Sequence, residues 1–101
     1  MTGDFPDGFE WDPAKCARNL RQHGIDFQDA IAIWQGPVLQ RRSDRGADAR
    51  FLAFGRVHGI LIAVVWTSRG DGRRIISARR ARRDERRYAE AWLAHAGSGP
   101  H

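Results

Sequence analysis

The sequence predicts an α+β fold in which helices pack on an antiparallel meander of about four strands, with two helices before the sheet and one after it. Three observations predict it. Apolar residues recur at helical spacing towards both ends of the chain, the period falls to two in between, and glycine-containing pairs break the middle at hairpin intervals. The 101 residues make one domain, residues 1–101. A chain of this length buries roughly 60–65% of its unfolded surface, enough for one modest core.

Each element has its own signature. Residues 1–8 read as loose, and Phe9-Glu10-Trp11 as a short strand with Phe9 and Trp11 on one face. Asp12-Pro13 marks a helix start: the carboxylate caps the first turn, and proline lacks an N–H that would be orphaned there. That helix runs through Leu20 and stops at His23-Gly24, where glycine takes the left-handed conformation. Asp26 caps a second helix, answered imperfectly by Asp29 three residues on. Phe27, Ala30, Ile31 and Trp34 form its apolar stripe, and Gly36-Pro37 ends it.

The period then changes. Val38–Arg42 reads as a strand, followed by a polar loop over Ser43–Asp48. Phe51–Val57 and Ile60–Thr67 flank His58-Gly59, a tight hairpin turn. The run ILIAVVW is apolar on both faces and belongs to a central strand covered on both sides. Gly70-Asp71-Gly72 marks another turn, and Arg74–Arg80 returns as the next strand. Alternation assigns Ile75, Ser77 and Arg79 to one face and Ile76, Ala78 and Arg80 to the other. A last helix over Arg83–Ala94 carries the stripe Tyr88, Ala89, Trp92, Leu93 and Ala96. Residues 95–101 read as a flexible tail, which leaves an ordered core of about 9–94.

Charge is distributed unevenly along this frame. Nine of the nineteen residues from Arg69 to Arg87 are arginine, while Lys15 is the only lysine of the chain. Arginine's planar fork grips a phosphate through two bonds where lysine offers a point charge. A GC-rich genome explains a general arginine bias but not its concentration in one fifth of the chain. Ile75 and Ile76 sit inside the run, so it reads as a folded strand that holds guanidinium groups in place. The net charge of +5 and pI near 10.9 point to a polyanionic partner. Arg82, Arg83, Arg86 and Arg87 near the start of the last helix oppose its dipole, at a cost of about 0.3–1 kcal/mol per charge, which a docked anion offsets.

Other classes are set aside. Cys16 is the single cysteine, so no internal disulfide forms; within a helix it reads as a small packed side chain. No apolar run is long enough for a membrane span, and MTGDFPDGF lacks the pattern of a secretory signal. The simplest expectation is a soluble, cytoplasmic protein that does not engage a membrane.

The segments FEWDPAK, NLRQHGIDFQDA, RFLAFGR and TSRGDGRRIISARRARRDERRYAE resemble, in order and spacing, the BrnT family of bacterial type II toxin–antitoxin systems. The resemblance covers residues 9 to about 90. It implies a RelE-like fold, ribonuclease activity without metal or other cofactor, and inhibition of translation by cleavage of mRNA. It also implies a BrnA-type antitoxin with a ribbon–helix–helix part, a two-plus-two complex, and contact with operator DNA only through that antitoxin. Two positions depart from the family pattern. Gln22 stands where many relatives have a basic residue, and Arg82 stands where a Ser or Thr often caps the last helix, so the capping box with Glu85 is lost.

Metal-free RNA cleavage needs help in deprotonating the 2′-hydroxyl, stabilisation of charge on the phosphate, and a proton for the leaving 5′-oxygen. The nucleophile belongs to the RNA. The four histidines are scattered without zinc spacing, and the basic half lacks the convergent carboxylates of a two-metal site. Arg79 is the expected charge stabiliser, with Arg69, Arg74 and Arg80 around it; the competing role is a solvated ion pair with Asp84 or Glu85. His23 is the expected acid or base by pKa, against a simple role capping helix carbonyls. Glu85 is a candidate base. Tyr88 is either a donor or, on its apolar stripe, a core residue. Ser77 is a candidate phosphate donor or a packed strand serine. Trp66 is the tryptophan expected to stack on a base. Two further readings stay open: a non-catalytic nucleic-acid-binding module, and a protein whose basic face binds an acidic partner segment.

Overall fold

A computed structural model describes residues 8–43 and 49–97. The expected loose N-terminus and the loop over Ser43–Asp48 lie almost wholly outside the described residues, as do the last four residues of the expected tail.

The elements are β1 (Phe9–Glu10), α1 (Pro13–His23), α2 (Phe27–Ala30) running into a 3-10 turn (Ile31–Gln35), β2 (Leu39–Arg42), β3 (Arg50–Val57), β4 (Ile60–Arg69), β5 (Gly72–Arg80) and α3 (Arg83–Gly97). The fold is α+β, as expected, with five strands in the order β1-β5-β4-β3-β2. The extra strand is β1, which pairs parallel with β5, whereas the other neighbours are antiparallel. The last helix is longer than its sequence pattern suggested, and the tail expected from residue 95 is helical through Gly97.

Local chemistry sets the helix ends. The Asp12 carboxylate accepts the Ala14 N–H at 2.9 Å, and Gly24 takes a left-handed φ of 72° at the other end of α1. The Asp26 carboxylate accepts the Gln28 N–H at 2.8 Å. The second helix tightens at Ile31, which turns Ile33 inward beside the expected stripe; Ile33 is buried. Gly55 makes room for it. A Cβ on Gly55 would lie 2.6 Å from the Ile33 Cβ, so only glycine lets the turn sit directly on β3. His58, with a φ of 52°, and Gly59, with 78°, form the expected two-residue hairpin.

The sheet has a core on each face. Phe27, Ala30, Ile31 and Ile33 pack with Ala53, Ile62, Val64, Trp66, Ile75 and Ala78 on one side. Ala89 and Leu93 of α3 pack with Phe54, Leu61 and Ala63 on the other. Strand β4 supplies both cores, which accounts for its unbroken apolar run. The stripe expected on α3 is corrected. Ala89 and Leu93 are buried, but Tyr88 and Trp92 are 38% and 43% exposed, and Glu85 takes the inward position instead.

Alternation along β5 is also corrected. The register pairs Trp66 with Ile75 but Val65 with Ser77, so Ile76 is an extra residue in a β-bulge. Ile75 therefore shares a face with Ala78 and Arg80, and Arg74 shares the opposite face with Ser77 and Arg79.

Beyond the two residues paired with β1, the outer edge of β5 is closed by a side chain. The Asn19 amide donates to the Ala78 carbonyl at 2.8 Å and to the Ile25 carbonyl at 2.9 Å, while its oxygen accepts the Ala78 N–H at 3.1 Å. Asn19 is 5% exposed and acts as a one-residue strand. Asn19→Ala is expected to orphan both Ala78 groups and to destabilise the fold by about 2–4 kcal/mol, since each buried unpaired group costs roughly 1–3 kcal/mol. Urea unfolding followed by tryptophan fluorescence measures this, and a loss under ~1 kcal/mol would mean that water replaces the amide.

Candidate nucleic-acid interface

The face of the sheet that carries α3 has three cross-strand rows. The first is Glu10, Arg74, Thr67 and Arg50; the second is Ser77, Val65, Leu52 and Arg41; the third is Arg79, Ala63, Phe54 and Leu39. Neighbouring strands lie about 4.8 Å apart, so each row is a band of side chains roughly 15 Å wide. Helix α3 covers the third row: Ala89 and Leu93 meet Phe54 and Ala63, and the Tyr88 ring packs edge-on to Phe54 at 5.7 Å. Arg50, Thr67, Arg74, Val65 and Ser77 in the outer rows remain part-exposed, and Arg41 is exposed.

Arg79 stands where the open rows meet the helix. Its Nη1 and Nη2 donate to the two Glu85 carboxylate oxygens at 2.7 and 2.9 Å, and Nη1 also donates to the Arg80 carbonyl at 3.2 Å. A guanidinium has five N–H donors, so Nε and one Nη2 hydrogen are left. The same Glu85 accepts the Arg82 N–H at 2.8 Å, three residues back. Half of the capping box expected to be lost is therefore present, supplied by Glu85 alone. The hydrogen bond from Arg79 holds the Glu85 carboxyl below its ordinary value, against the opposing effect of burial, with the Arg82 N–H adding to the depression. In turn the Glu85 hydrogen bond raises Arg79 further. A carboxylate so stabilised is a weak base. What the geometry gives Glu85 is the orientation of Arg79 and the start of α3. Asp84 and Glu85 also place negative charge in the helix's first turn, which offsets the arginines there.

Around this pair the arginines divide. Arg74 donates to Glu10 at 2.8 Å, and Arg69 lies 3.7 Å from the same carboxylate. Both lie towards the other end of β5 from Arg79, so the expectation that they surround Arg79 is corrected; they share its face, not its immediate neighbourhood. Arg80 points to the opposite face, because alternation turns it away. Arg50 and Arg41 were not singled out in the sequence, since they lie outside the arginine-rich run. Arg50 has a buried Nε with no hydrogen-bond partner, and Arg41 donates to the Tyr88 hydroxyl at 2.7 Å. Their signal was the period-two pattern of β2 and β3, which sets both on the face of Arg79.

Three other expected residues fall elsewhere. Trp66 is 8% exposed. One ring face stacks on Phe51 at 4.5 Å, Arg73 lies 4.9 Å from its centroid, and its Nε1 donates to Gln40. It is a core residue with no face free for a base. His23 ends α1 beside the outer edge of β5, with no described contact to Arg79 or Glu85. It lines one hollow of about 220 Å³ with His58 and Arg80, and another of about 240 Å³ with Ser77. Ser77 thus stands at a junction: its register puts it in the second row, and it also edges the hollow beside α1. Cys16 is the packed side chain expected, its thiol pushed up chiefly by burial. Among the described residues no three His, Cys, Asp or Glu side chains gather where a metal ion would be held. None of the helices among them is long and apolar enough to cross a membrane.

The geometry agrees with comparison to known proteins. A family described as the ribonuclease toxin, BrnT, of type II toxin–antitoxin systems matches residues 11–85. The chain belongs to the BrnT family. The BrnT match begins at Trp11 and ends at Glu85, so it includes the Asn19 clamp, all three rows except Glu10, and the Arg79–Glu85 pair. The protein is accordingly a ribonuclease toxin of a type II toxin–antitoxin system. No curated protein matches the chain.

The depressed Glu85 carboxyl makes a prediction about acid. Its ordinary value is near 4.5 and the folded one is lower, so the pair's contribution is complete above that ordinary value and disappears as pH falls through the folded one. Glu85→Gln is expected to be less stable than the wild type by about 1–3 kcal/mol at pH 7, because it replaces the two-pronged carboxylate partner of a part-buried guanidinium with a neutral amide. The gap should narrow steadily below about pH 4.5. Urea midpoints from pH 7 to pH 2.5 report it, and a gap that widens in acid would contradict the assignment.

Proposed function

We propose that the two open rows bind single-stranded RNA and that the strand is cut there without a metal ion, by attack of its own 2′-hydroxyl. The observation that carries this reading is the arrangement of Arg74, Arg50 and Arg41 across three strands of one face, with Arg79 clamped at its foot. Rigid strands hold cationic donors at spacings suited to a nucleic-acid backbone. Arg79 is the charge stabiliser. Fixed by Glu85, it keeps Nε and one Nη2 hydrogen for a phosphoryl oxygen and needs no reorganisation as charge develops. Arg50, part-exposed, adds a guanidinium to the same face. Arg74 and Arg69, held by Glu10, steady the far side of the strand, and Ser77 donates at its edge.

Tyr88 is the proton donor in this reading. Its hydroxyl accepts from Arg41 at 2.7 Å, which leaves its own O–H available to donate, and the edge contact with Phe54 packs the ring. A route without metal is supported by the donor set, in which cations rather than convergent carboxylates dominate the face. Cleavage of mRNA in the cytoplasm would inhibit translation. A BrnA-type antitoxin, in a two-plus-two complex that reaches operator DNA through its ribbon–helix–helix part, would neutralise the toxin.

The test is cleavage of a defined single-stranded RNA in excess chelator. Wild type is expected to yield fragments ending in a 2′,3′-cyclic phosphate, and Arg79→Ala to lose ~10²–10³ in rate, the usual cost of one preorganised donor. Tyr88→Phe should lower kcat with KM unchanged. Equal rates for wild type and Arg79→Ala would remove Arg79 from the chemistry. Cleavage abolished by chelator would reject the metal-free route, and binding without cleavage would leave a nucleic-acid-binding module.

A further inference from the structure

The second hollow, beside α1, is not used by the reading above. Lys15, Arg18 and Gln22 fall at i, i+3 and i+7 of α1 and share one side of the helix. With His23, they line a hollow of about 240 Å³ whose opposite wall is Ile76 and Ser77 of β5. Asn19 lies within the same stripe, and its bonds to Ala78 draw α1 against the strand edge, so the cations flank the point of anchorage. Lys15 and Arg18 have no ion-pair partner among the described residues, in contrast to Arg69, Arg74 and Arg79. The bulge at Ile76 opens the strand edge here. It presents an apolar side chain on which a base can rest, and Ser77 on its far side reaches the open rows of the sheet face. His23 continues the wall into the next hollow, where Arg80 and His58 stand.

We infer that this trough between α1 and the outer edge of β5 is a second subsite for single-stranded RNA, which takes the phosphates of nucleotides flanking the linkage held on the sheet face. The strand crosses the edge of β5 at Ser77. Lys15 and Arg18 lie about 4.5 Å apart along the helix axis, and their long side chains reach neighbouring phosphates of one strand. This rests on the sheet face being where RNA is held, and it adds that substrate length matters: a strand that ends at Ser77 leaves the trough empty.

Lys15 is the only lysine in the chain, which gives a test in the unaltered protein. Wild type is treated with an amine-acylating reagent alone, with a four-nucleotide RNA, and with a twelve-nucleotide RNA, both made uncleavable by 2′-O-methylation. Peptide mapping by mass spectrometry separates Lys15 from the terminal amine. The twelve-nucleotide RNA is expected to slow Lys15 acylation at least fivefold and the four-nucleotide RNA to leave it unchanged. In parallel, the exposed double variant Lys15→Gln, Arg18→Gln should reduce the log–log salt slope for the longer RNA by about 1.4, at roughly 0.7 for each phosphate of a single strand. Its slope for the shorter RNA and its cleavage of a short substrate should be those of wild type.

Equal protection by both RNAs, no protection by either, or a slope that changes equally for both lengths would overturn the trough. Protection by an acidic decapeptide but not by RNA would assign it to a protein partner and overturn the proposal as well. Failure of the sheet-face reading looks different: wild type would not cleave RNA at all, whatever happens at Lys15.

Discussion

A single buried amide fastens α1 to the edge of β5. Strand β1 is too short to cover β5, and the remaining edge would expose an unpaired peptide beside a helix. Asn19 fills that gap with a donor and an acceptor spaced as in a backbone unit, and its third bond ties the end of α1 to Ile25. On that side the clamp draws α1 against β5 and sets Lys15 and His23 beside the strand, while the α2 stripe is buried by its own contacts with the sheet. A buried amide of this kind is stable only when each of its groups is satisfied, so the position specifies asparagine by geometry as well as polarity.

The arginines are less alike than their density suggests. Arg73 is consumed by the core, where its guanidinium lies 5.0 Å from the centroid of Trp34 and 4.9 Å from that of Trp66. Arg74 and Arg79 are each restrained by a carboxylate, Glu10 and Glu85. Arg50 and Arg41 stand in strands far from the basic run yet arrive on the same face. Local arginine count is therefore a poor guide to the surface. Strand register decides which guanidinium groups meet.

Much of the fold was legible in the residues. Asp12-Pro13, His23-Gly24 and His58-Gly59 act through local backbone chemistry, and each marks an element boundary within a residue or two. The buried β4 could be read because apolar residues on both faces leave only a central position. What escaped was nonlocal. The bulge at Ile76 breaks the pairing of β5 with β4 between Val65 and Trp66, and no pattern within RRIISARR distinguishes it from regular alternation. The burial of Trp66 depends on Phe51 and Arg73, brought to it by pairing. Of the expected site, Ser77 and Arg79 share a face as alternation implied, and Arg74 joins them only because the bulge at Ile76 shifts the register. The pairing of Arg79 with Glu85 was one of the roles the residues suggested; that it is two-pronged and shared with the Arg82 N–H is visible only in three dimensions.

The parallel pairing of β1 with β5 has a consequence for synthesis. Phe9 and Glu10 pair with Arg73 and Arg74, and Asn19 closes onto Ala78 across 59 residues. The strand partners of β1 and of Asn19 are therefore not made until nearly four fifths of these residues have been translated. Contacts between such distant positions form late, because the intervening chain must be ordered first. The sheet edge that β1 and α1 close is therefore completed only after the β2–β5 meander has been synthesised.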